Sequence, residues 1–144
     1  MKPLILQRII PLTIISFATL TKWWYVLPVD TPHTFYSGFP LAYVGDAWGS
    51  SMTLQFFALE FIVDLLFYFC CWLFLIYCFN RFVMKLKVFK TITILLYSVA
   101  FLMIGGAAII VFHDGNYLKL YRDYDMHVLK TGFKFTWEYI ERPK

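Results

Sequence analysis

The chain has 144 residues, of which 60% are hydrophobic, 22% aromatic and only 15% charged, with a net charge of +4. A soluble domain of this size buries about two-thirds of the surface its unfolded chain exposes and carries about a quarter charged residues, so water is excluded as the solvent of most of these side chains. The 13 Lys and Arg residues form no run or stripe, which speaks against nucleic acid as a partner.

The first expected element is a membrane helix over 4–27. Its uncharged stretch, Ile9 to Thr21, is short, but Arg8 and Lys22 at its ends can snorkel to the head groups and lengthen the span. Trp23, Trp24 and Tyr25 then read as an aromatic belt. A secretory signal peptide is the rival, yet no small-x-small cleavage pair precedes Lys22 cleanly, so an uncleaved anchor is expected.

Residues 28–51 form an external loop, because Pro28, Pro32, Gly38, Pro40, Gly45 and Gly49 forbid one regular helix. The loop is nevertheless rich in apolar bulk, including Phe35, Phe39, Leu41, Tyr43 and Trp48. It is expected to fold back on the membrane surface or to cap the helices, with room for a short re-entrant piece around 39–48.

A second helix is expected over 52–80, with Leu65 to Phe79 uninterrupted in apolar character, and a third over 90–113. The third holds 22 uncharged residues, Thr91 to Phe112, the clearest membrane signal in the chain. Residues 115–144 leave the membrane as a tail. In it Phe133, Phe135, Trp137 and Tyr139 alternate with Lys134, Thr136 and Glu138, a strand period with an aromatic face. A lone strand is unstable in water, so these residues need a partner edge, a lipid surface or the external loop. The expected fold class is thus an all-α membrane protein: a three-helix transmembrane domain over 1–114 with an aromatic external loop, and an external tail open to strand formation.

Positive charges in short loops stay on the cytoplasmic side. Lys2, Arg8, Arg81, Lys85, Lys87 and Lys90 would lie there without any acid, while all nine acids fall on the other side. The N-terminus is therefore expected in the cytoplasm and the C-terminus in the periplasm or outside, in the inner (plasma) membrane of a bacterium.

Glu60 and Asp64 are four residues apart and share one helix face near the outer boundary. Carboxylates in hydrocarbon cost about 2.5–3.5 kcal/mol each, so they ask for a reason. The first reading pairs them with Lys22; others are a docking site for another subunit's cation and a proton or ion relay. His33 and His113 belong to the same outer face, but their spacing matches no metal motif, and no metal or cofactor is expected. Asp123, Asp125 and His127 read as a solvated face, and Cys70, Cys71 and Cys78 as apolar free thiols. Gly105, Gly106 and Ala107 thin the third helix and let another helix approach closely, within this chain or from a second one.

No catalytic pattern stands out, and an enzyme is not expected. The composition points to a small non-enzymatic subunit of a larger membrane complex, assembling through its helices and its aromatic tail. Its expected partners are other membrane subunits and lipids, with no nucleic acid or small-molecule substrate. The alternative is a transporter, channel or transport accessory that uses the Glu60/Asp64 site.

Overall fold

The computed structural model describes residues 5–28, 33–47, 53–83 and 89–138. A π-helical turn, Ile5–Ile9, runs into α1, Ile10–Thr19. Strands β1 (Leu20–Pro28), β2 (Thr34–Ser37), β3 (Val44–Asp46) and β4 (Leu54–Phe57) follow. Two long helices come next, α2 (Ala58–Phe82) and α3 (Lys90–Val111), and then strands β5 (Tyr117–Lys119) and β6 (Met126–Phe135). The six strands form one mixed sheet in the order β5-β4-β3-β2-β1-β6.

The all-α expectation is therefore overturned, and with it the three membrane-crossing helices. Among the described residues only α2 and α3 are long and apolar enough to cross a membrane. Their 25 and 22 residues reach about 37 and 33 Å. The segment 4–27, expected as the first span, turns from helix to strand at Leu20, and the 10 residues of α1 cover only about 15 Å. The reason lies in the residues taken for an aromatic belt. Trp23, Trp24, Tyr25 and Val26 are aromatic or β-branched, types that pack best on a pleated surface. Partners stand on both sides: β2 pairs antiparallel with Trp23 to Val26, and β6 with all of β1.

The supposed loop 28–51 likewise supplies β2 and β3, and the start of the supposed second helix is β4. The tail contributes both edges of the sheet. β5 lies parallel to β4, and β6 runs antiparallel to β1 with a bulge opposite Tyr25 and Val26. Gly132 faces Trp23 there, and a Cβ at that position would come within 2.6 Å of the indole nitrogen.

Connectivity puts the sheet at one end of the helices. β1 continues α1, β4 feeds directly into α2, and α3 returns toward β5. Arg81 and Lys90 lie at the opposite end of the two long helices. The sheet's own core is Val26, Tyr36, Ala42 and Phe57, with Trp24, Tyr124 and Met126 packed against it. Within that core the Tyr36 and Tyr124 hydroxyls share a hydrogen bond, and the Gln55 amide donates to both, at 2.9 and 3.1 Å. Burial pushes the Tyr124 hydroxyl well above its ordinary pKa, and its bond to Tyr36 adds to the rise.

Helix packing is uneven. α1 packs against both long helices, and beside α2 the Trp72 indole donates to Ser16 Oγ at 2.8 Å and the Tyr68 hydroxyl to the Leu20 carbonyl at 2.7 Å. Against α3 the preceding π-helical turn accepts the Tyr97 hydroxyl at the Leu6 carbonyl. One face of α3 packs on α1, with Ala100 buried and Leu96, Val99 and Met103 half-buried, while its other face is exposed.

Candidate functional site

The most unusual group in the molecule is Asp64, a fully buried carboxylate in the second turn of α2. The turn between β2 and β3 descends onto it. Gly38 opens that turn with a φ of 148°, and a Cβ there would lie 2.0 Å from the Leu41 carbonyl oxygen, so only glycine fits. Phe39 and a cis Pro40 follow, and the Leu41 amide donates to Asp64 Oδ1 at 2.8 Å. The Phe39 amide faces the same carboxylate. Buried backbone amides outside regular structure need partners inside the protein. Asp64 is that partner.

Aromatic rings close the site. Phe39 meets Phe67 and Tyr68 edge to face, at 5.2 and 6.4 Å between centroids. Phe17 of α1 stacks on Tyr43 at 5.2 Å and meets Phe61 edge-on at 5.0 Å. Burial raises the pKa of the Tyr43 hydroxyl, and the nearby Asp64 carboxylate pushes it the same way. The sequence marks Asp64 but not its neighbours, because Phe39, Leu41 and Tyr43 lie over twenty residues away and resemble ordinary apolar bulk. The Gly38-Phe39-Pro40 triplet is the one local signal of a tight turn.

Glu60 has a separate role. Its Oε1 accepts from the Arg122 amide at 3.1 Å, one residue after the Leu59 amide donates to the Leu120 carbonyl at 2.9 Å. The segment between β5 and β6 is thereby fastened to the first turn of α2, whose backbone groups need partners. Glu60 and Asp64 each hold a different backbone segment rather than forming one paired acid site.

The other expected members disperse. Lys22 places its ammonium 3.8 Å from the centre of the Trp24 ring. His33 stacks on Tyr25 at 5.4 Å, on the far end of the sheet. His113 follows α3, and its Nδ1 accepts a long 3.4 Å bond from the Gly115 amide. Among the described residues no ion pair joins Lys22, His33 or His113 to either acid; the single salt bridge there is Lys119 to Asp123, at 3.4 Å. Gly105, Gly106 and Ala107 lie exposed on α3, and a Cβ at either glycine would meet nothing within 4 Å. Phe133 and Phe135 are on β6, Trp137 follows it, and Tyr139 lies outside the described residues.

No family profile, no curated protein and no solved structure matches this chain.

Proposed function

We propose that this protein is a small, non-enzymatic membrane subunit whose two long helices anchor a six-stranded sheet and dock, through α3, onto another membrane helix. The observation that carries this reading is the exposed face of α3 on which its glycines lie. Its glycines Gly105 and Gly106 face open space, although a helix meant only for lipid gains more contact from larger side chains. Small residues instead let two helix backbones approach, and close packing is what drives association where lipid removes the hydrophobic effect. The acids support the same reading, since each is engaged by a backbone amide and serves the fold. Transport through the Glu60/Asp64 region is the weaker alternative, because the turn from Gly38 to Leu41 closes over Asp64.

Replacing both Gly105 and Gly106 by Leu tests the proposal. In mild detergent the wild-type chain is expected to migrate as a complex, and the double variant as a folded, unassembled protein with unchanged helix content. Equal complex size for both proteins would refute docking through this face.

A further inference from the structure

The last described segment carries three aromatic side chains that the chain itself leaves uncovered: Phe133 is 61% exposed, Phe135 47% and Trp137 70%. They occupy the end of β6 that faces the helices, since Phe135 pairs with Leu20 at the start of β1. Their height is fixed. The Thr136 amide donates to the Thr19 carbonyl at 2.9 Å and its hydroxyl to the Ala18 carbonyl at 2.6 Å, so this turn caps the C-terminal end of α1. Below the turn α1 runs beside the two long helices. Tyr97 of α3 reaches Leu6 in the π-helical turn that leads into α1, and from that level the two helical segments rise over similar lengths to Thr19 and Val111.

The rings also continue the apolar surface of α2. Phe133 meets Phe39 edge-on at 5.1 Å, and Phe39 meets Phe67 on the outward side of α2. Beyond them Phe135 and Trp137 lie parallel at 5.0 Å, held by the Glu138 carboxylate accepting from the Phe135 amide at 3.0 Å. Rigid aromatic rings with one polar atom, placed where a spanning helix ends, match the boundary between acyl chains and head groups.

We infer that Phe133, Phe135 and Trp137 form an interfacial anchor: they sit in the lipid leaflet that meets the sheet, at the acyl–headgroup boundary, and fix the tilt of the sheet on the membrane. The inference rests on the membrane-spanning reading of α2 and α3, and the test separates the two. The full chain is reconstituted in phosphatidylcholine vesicles brominated either next to the head group or near the chain end. Emission from Trp137 and from Trp72, about one turn below the end of α1 on α2, is isolated by subtracting the Trp137→Phe and Trp72→Phe variants. Trp137 is expected to lose roughly half its intensity to bromine next to the head group, less to bromine near the chain end, and little to aqueous iodide. Quenching of Trp72 by brominated lipid with Trp137 quenched only by iodide would put the anchor in water and overturn it. Trp137 shielded from both lipid and iodide would mean a protein cover, which also overturns it. Failure of Trp72 to respond to either lipid would bring down the membrane reading itself, and the anchor with it.

Discussion

Asp64 is a carboxylate whose value lies in acceptance rather than charge. Its Oδ1 satisfies the Leu41 amide where the turn meets α2, so the group that matters is an oxygen in the right place. Asp64→Asn keeps such an oxygen, and its melting temperature in detergent should stay near that of the wild type. Asp64→Ala leaves the amide unpaired and should lose about 1–3 kcal/mol. Equal losses for the two would show that the negative charge itself is needed. Tyr124 gives a second test at this scale. Its folded-state pKa lies above the ordinary value near 10, so the folded chain holds the phenolic proton more tightly than the unfolded chain. The stability this contributes is complete below about pH 10 and is lost as pH rises through the folded pKa. Thermal unfolding followed upward from about pH 9 should show a falling melting temperature, and Tyr124→Phe should flatten that fall. An unchanged slope in the variant would remove Tyr124 from the account.

Among the elements, β1 and β6 decide the architecture, and they are where sequence and structure part. The apolar runs from Leu65 to Phe79 and from Thr91 to Phe112 lie in the two long helices, because a long uncharged stretch carries its own evidence. The change at Leu20 carries none. A helix-length window counts Trp23, Trp24 and Tyr25 as apolar without seeing that β2 and β6 offer matching edges, one from a far-off part of the chain. The alternation around Phe133 and Phe135 did reveal a strand period, and the partner edge it required is β1. The candidate site was half legible for the same reason: Asp64 stands out against hydrocarbon, whereas the amides it serves are invisible in side-chain chemistry. At this scale the α1 cap can be tested. Thr136→Val removes the hydroxyl bond to Ala18 but keeps the backbone bond to Thr19, and should cost about 0.5–1.5 kcal/mol in thermal unfolding. No loss would mean that β6 is held by its ladder with β1 alone.

For the whole molecule, one arrangement joins these parts: a sheet at one end of two apolar helices, and Arg81 and Lys90 at the other. The two acids within α2, Glu60 and Asp64, each hold backbone of the sheet end. Arg81 and Lys90 lie at the opposite end of α2 and α3, and on the membrane-spanning proposal above this is the end that cations would hold in the cytoplasm. The same proposal would put the sheet on the outer side. The most direct test of this arrangement is side-specific labelling in a background with Cys70, Cys71 and Cys78 replaced by serine or alanine. Single cysteines at the exposed positions Asp125 and Lys90 are treated with a membrane-impermeant maleimide in intact spheroplasts and again after permeabilisation. Asp125→Cys should label in intact spheroplasts and Lys90→Cys only once the membrane is opened; labelling of both from the same side would contradict a membrane lying between the sheet and Lys90.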